Sequence, residues 1–156
     1  MSHYVEMEVE FEVKNEADLV AALEQQFGEN SVEIHPEGAA LYGWHGDDRS
    51  KVSKNSSNYA PPCELIIRRK NVGGASNDVG FKRTPEGTYK SYISEFDNGA
   101  NFNKVKQDAV AQDYTVRVTE RTLVQDGWAV TKQRLDNGAV KVIATEKAGL
   151  VKTKTW

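Results

Sequence analysis

The sequence predicts an α+β fold, an antiparallel sheet of about six to eight strands with two helices packed on one face and a closing β-hairpin. Three observations carry that expectation. Residues Val5 to Val13 alternate apolar and acidic side chains without a break, which is the period of a strand with one buried face. Two stretches repeat apolar residues at helical spacing, Glu16 to Phe27 and Asn101 toward Leu123. Near the end, Asn137-Gly138 separates two short runs rich in β-formers, the strongest short-range hairpin signal.

In the opening strand Val5, Met7, Val9, Phe11 and Val13 face a core, and Glu6, Glu8, Glu10 and Glu12 face away from it. Asn15 suits an N-cap, Glu16 and Asp18 suit the positive end of a helix, and Leu19, Val20, Leu23 and Phe27 form its apolar stripe before Gly28 stops it. Val32-Glu33-Ile34 and Ala40 to Trp44 read as a pair of short strands around Pro36 and Gly38. Residues 46–62 carry Ser, Asn and charge with almost no periodicity, so this segment is expected to be a functional or mobile loop. Strands follow at Cys63 to Lys70, Asp78 to Lys82, and Tyr89 to Phe96, joined by turns at Gly73-Gly74 and Pro85-Glu86-Gly87. The second helix runs from Asn101 toward Leu123 and Asp126-Gly127, although Tyr114 to Thr119 also alternates as a strand would. A hairpin through Asn137-Gly138 to Thr145 closes the domain, and residues 147–156 read as a basic tail.

A length of 156 residues fits one domain that buries roughly two thirds of its unfolded surface and folds without staples. The single cysteine, Cys63, cannot bridge within the chain, so a reduced structural thiol and a cytoplasmic setting are expected. No run approaches the ~18 apolar residues of a membrane span, which argues against a membrane partner. A net charge of −3 argues against general nucleic-acid binding, since such domains usually carry a basic field.

Three groups of residues could bind something. Tyr42-Gly43-Trp44-His45-Gly46 offers two aromatic faces and glycines that let a backbone approach closely. Arg68-Arg69-Lys70, the Gly73-Gly74 turn and Lys82-Arg83 gather guanidinium forks and turn amides of the kind that hold phosphate or carboxylate. That pattern lacks the Lys-Ser/Thr ending of a P-loop, so a simple meander turn competes with it. His3, His35 and His45 have no ligand spacing, and the glutamate row, with side chains about 7 Å apart along a strand, reads as a solvated or cross-strand-paired face. Neither indicates a metal, a cofactor or a catalytic group.

The opening Met1-Ser2-His3, the Tyr42-Gly43-Trp44-His45-Gly46 element, Ile66-Ile67-Arg68-Arg69, Asp78-Val79-Gly80-Phe81, Phe102-Asn103-Lys104-Val105, Gly127-Trp128 and the final Trp156 together resemble the hypothetical chloroplast open reading frame 35 family. Its members are small proteins of algal plastids, cyanobacteria and phages, filed as a domain of unknown function. The resemblance covers nearly the whole chain and singles out His3, Gly43, Gly46, Asp78, Gly80, Phe81 and Trp156. The chain departs from the pattern in its Ser/Asn-rich segment 47–62 and in the Lys154-Thr155-Trp156 ending.

The favoured function is that of a non-enzymatic binding protein for an anionic, nucleotide-like small molecule, such as a phage-type member would use to sequester a signal. His3, Tyr42, Trp44, His45, Arg68, Arg69, Asp78, Phe81 and Lys82 are the ligand-binding candidates. Alternatives are a protein-protein interaction module, including a homo-oligomer that covers the exposed sheet face, and a metal-dependent hydrolase or nuclease built on His45, Asp47 and Asp48.

Overall fold

The computed structural model describes residues 3–156, so Met1 and Ser2 of the opening motif lie outside the described residues. The alternating start forms β1 (Tyr4–Glu12), with Glu6, Glu8 and Glu10 exposed and Val5, Met7, Val9 and Phe11 half-buried. Helix α1 (Glu16–Phe27) buries Leu19, Ala22 and Leu23, and Gly28 ends it with a φ of +112°. That backbone state carries little penalty for a residue without a Cβ.

The chain continues through β2 (Val32–Ala39), β3 (Cys63–Ile67), α2 (Arg69–Val72), β4 (Val79–Arg83) and β5 (Thr88–Ser94). These strands form an antiparallel sheet of order β1-β5-β4-β3-β2. Helix α1 therefore carries the chain from one edge strand to the other, and β2 to β5 return as a meander. Next come α3 (Glu95–Gly99), α4 (Lys104–Gln125), β6 (Ala129–Arg134), β7 (Val140–Thr145) and β8 (Val151–Thr155), the last three forming a second antiparallel sheet. The chain divides into two compact units, one up to Val110 and one of Ala111–Trp156. Among the described residues no helix is long and apolar enough to cross a membrane.

The α+β class and the antiparallel pairing are as expected, but several details differ. The described residues hold eight strands in two sheets of five and three, not one sheet. The ending is a three-stranded meander: Gly149, at a φ of +88°, turns the presumed tail back as β8, and Val140 and Trp156 exchange backbone hydrogen bonds of 2.8 and 2.9 Å. Two short helices, α2 and α3, join the two anticipated ones. Residues 40–44 make no strand beyond one bridge between Tyr42 and Asp48, whereas β2 runs on through Pro36. An edge strand tolerates proline because its outward N–H needs no partner, and here the β2–β3 register shifts just beyond Ile34. At the hairpin only Gly138 has positive φ, +85°; Asn137 does not, and Leu135 N–H bonds Ala139 O at 2.8 Å across a longer turn.

The segment expected to be a mobile loop lies on the sheet. Leu41 and Ala60 are fully buried with Cys63, Ile66 and Tyr92, and half-buried Tyr4 and Ala39 pack against them. Backbone bonds tie it down: Tyr4 N–H to Ser57 O at 3.0 Å, Arg49 N–H to Leu41 O at 3.0 Å and Ala60 N–H to Arg49 O at 3.2 Å. Gly80 provides the seat, because a Cβ there would lie 2.6 Å from Cys63 Sγ and 2.9 Å from the Leu41 methyls. In the second unit, Val116 of α4 is buried with Val140 and Val142 of β7, and Leu123, Val130 and Trp156 pack around them.

Candidate ligand-binding site

Strand β4 is entered through Asn77 and Asp78, both almost fully buried. A buried carboxylate must be paired and hydrogen-bonded to remain charged, and Asp78 is. Its Oδ2 accepts from Arg68 Nη1 at 2.9 Å and Tyr42 N–H at 2.8 Å, and its Oδ1 accepts from Arg69 N–H at 2.7 Å. Its backbone carbonyl accepts from the Tyr4 hydroxyl at 2.6 Å. One side chain thus fixes the start of α2 and the aromatic element that began at Tyr42.

Arg68 continues the network outward, donating to Glu33 at 3.0 Å and to the Ala40 carbonyl at 2.9 Å while lying over the Tyr42 ring. Burial works against its charge, but the hydrogen bond and negative charge of Asp78, then those of Glu33, hold the guanidinium above its ordinary pKa. Glu33 responds in the opposite sense. Burial pushes its carboxyl up, and the hydrogen bond from His35, at 2.8 Å, together with Arg68 outweighs that and leaves it lowered.

Asn77 performs the matching role on the other side. Its Oδ1 accepts from Trp44 N–H at 2.9 Å, its Nδ2 donates to Ser94 Oγ at 3.0 Å, and its N–H donates to Asp97 Oδ2 at 3.0 Å. Ser94 caps α3 by accepting from Asp97 N–H, and Asn101 donates to Asp97, Gly74 O and Ser76 Oγ. The 73–76 loop is held from beneath by Asn101, which leaves no room for a Cβ at Gly73, 2.6 Å away.

Between these anchors lies an open cleft of ≈ 390 Å³ lined by Trp44, Arg69, Lys70, Gly73, Ala75 and Ser76. Trp44 is 54% exposed, a large apolar ring left facing water. Arg69 Nη1 donates to the carbonyls of Gly43 and Trp44, which steadies its guanidinium beside that ring. Lys70 is exposed, and Ala75 holds a φ of +56°, unusual for a residue with a side chain. Among the described residues, no carboxylate lines the cleft. A larger groove of ≈ 700 Å³ is its electrostatic opposite, lined by Glu8, Glu10, Glu12 and Glu86 among others.

The expected site residues separate into groups. Trp44 and Arg69 line the cleft. Tyr42, Arg68 and Asp78 form its support, and Tyr42 is 40% exposed. His45 is exposed with its ring edge against Trp44, centroids 4.7 Å apart. Phe81 does not belong: strand alternation turns it to the opposite face from Gly80, where it is 2% exposed and packs against Phe11. Lys82 donates to Pro62 O at 3.3 Å, and His3 lies 3.9 Å from Glu95, so neither is brought to the cleft.

Asp47 pairs with the buried Arg49 at 2.7 Å, and Asp48 caps a turn by accepting from Ser50, so both carboxylates of the hydrolase reading are engaged structurally. Among the described residues no group of three His, Cys, Asp or Glu side chains is placed to hold a metal ion. Sequence reasoning missed Tyr4, Arg49, Asn77, Asp97 and Asn101. Only Ser94-Glu95-Phe96-Asp97 carried a visible signal, the Ser/Thr-x-x-Asp/Glu signature of a helix start.

Fold and site define an α+β protein with a cationic, aromatic-edged cleft at the end of an antiparallel sheet. Comparison with protein-family models, curated proteins and solved structures finds no match.

Proposed function

We propose that this is a non-enzymatic, cytoplasmic binding protein whose cleft between Trp44 and α2 takes an anionic, nucleotide-like small molecule, and that the chain is a member of the hypothetical chloroplast open reading frame 35 family. The observation that carries the binding reading is the exposed Trp44 ring beside Arg69 and Lys70 in a cleft lined by no carboxylate among the described residues. A planar base stacks on an indole face, and a guanidinium already oriented by two carbonyls meets a phosphate or carboxylate with little loss of freedom. The rigid support beneath, Asp78 with Arg68 and Asn77 with Asp97, suits a site whose geometry exists before the ligand arrives.

Isothermal titration with adenosine and guanosine mononucleotides, cyclic nucleotides and ADP-ribose is the direct test. At least one is expected to bind, with affinity falling tenfold or more in Trp44→Ala and in Arg69→Ala. Absence of binding by every member of the set overturns the reading.

A further inference from the structure

The net charge of −3 conceals a division between the two units. Residues 111–156 carry eight Lys and Arg against five Asp and Glu, hence +3, and the remainder of the chain carries −6. Two of those five carboxylates are spent locally, Asp113 on Arg117 at 3.0 Å and Glu120 on Lys132 at 2.7 Å. Two of the eight cations lie on β8, which pairs with β7 alone and is exposed along its whole length.

Lys152 and Lys154 alternate along that strand and so share a face, about 7 Å apart. Each stands over an indole: the Lys152 ammonium is 4.6 Å from the Trp128 ring centre, and Lys154 is 5.1 Å from that of Trp156. Trp128, which leads into β6, and Lys152, Lys154 and Trp156 at β8 therefore form a series of ring, cation, cation, ring running across the three-stranded sheet from β6 to β8. Neither lysine forms an ion pair with a carboxylate among the described residues, and both indoles are half-buried and so held in place.

We propose that this series is a binding surface for single-stranded nucleic acid. Two cations one strand step apart match the spacing of successive phosphates in an extended strand, and two fixed indoles offer stacking platforms for unpaired bases. Each ammonium moves from the indole face to a phosphate as a base takes its place on the ring. A duplex hides its bases and gains only the phosphate contacts, so it binds more weakly.

The test is fluorescence anisotropy with a fluorescein-labelled deoxythymidine strand of about ten nucleotides, a length typical of one such surface. Binding is expected at low salt, weakening as salt rises. Lys152→Ala/Lys154→Ala is expected to lose tenfold or more in affinity and to flatten the salt dependence, and Lys152→Arg/Lys154→Arg to retain binding. In a Trp44→Phe background the strand should quench the remaining tryptophans. No binding at low salt, unchanged affinity in the double alanine variant, equal affinity for the matching duplex, or binding without quenching each overturns the proposal. Arg69→Ala/Lys70→Ala should leave strand binding intact, which separates this surface from the cleft.

Discussion

Gly80 and Asp78 are two residues apart at the start of one strand, and both serve the segment that lies over them. A methyl at position 80 would collide with Cys63 and Leu41, both fully buried. Gly80→Ala is expected to cost about 1–3 kcal/mol, the usual range for overpacking, read as a lowered urea midpoint. Asp78→Ala is expected to cost more, about 3–5 kcal/mol, because it leaves Arg68 without its most buried partner. Part of this was legible beforehand. Asp78-Val79-Gly80-Phe81 stood out, yet its own period of two already placed Phe81 on the face opposite Asp78, Gly80 and Lys82. A candidate group containing Asp78, Phe81 and Lys82 could not be one site. Cys63 follows the same logic: burial pushes its thiol well above the ordinary value, so its alkylation in native buffer is expected to be far slower than in denaturant.

Among elements, residues 40–62 diverged furthest from expectation. A segment held by one buried guanidinium, two buried apolar residues and backbone bonds leaves no periodicity to read. Arg49 is 1% exposed, donates to Asn58 O at 3.0 Å and lies over the Tyr4 ring. Gly43 makes room for it, since a Cβ there would sit 2.6 Å from Arg49 Nε. Arg49→Ala is expected to speed hydrogen exchange across residues 47–62 while β3, β4 and β5 stay protected; uniform loss of protection would show that the segment does not open separately. Strand β8 was missed for want of any apolar face at all. Val-Lys-Thr-Lys-Thr is exposed throughout, so the apolar alternation that marked β1 is absent, and only the pairing with β7 makes it a strand.

For the whole molecule, the tyrosines set the alkaline limit. Burial first, then neighbouring acidic groups, raises the phenols of Tyr4 and Tyr92 above their ordinary value, and burial pushes Tyr89 up to about 12. A group whose pKa is raised on folding favours the folded state while it stays protonated. That contribution is complete below the ordinary tyrosine value of 10.0 and is lost as pH climbs from there through 12 and beyond. Urea midpoints measured from pH 8 upward should hold and then fall across this window, and Tyr4→Phe should fall less steeply. Glu33 has the reverse sign. Its lowered carboxyl stabilises the fold above its ordinary value of 4.5, and that help disappears as pH drops through the folded value.

The acidic row of β1 has a consequence for life in a crowded solution. Among the described residues β1 pairs with one strand only, β5, and beyond Tyr4, whose N–H bonds Ser57 O, its other edge carries no strand; an open strand edge is a template on which another chain can grow. Glu8 and Glu10 are exposed along it, while Glu6 is paired with Lys90 at 2.8 Å, so a second copy approaching that edge brings like charge against like charge at Glu8 and Glu10. Glu8→Val/Glu10→Val is therefore expected to fold normally yet form sheet-rich aggregates, visible as light scattering and thioflavin fluorescence.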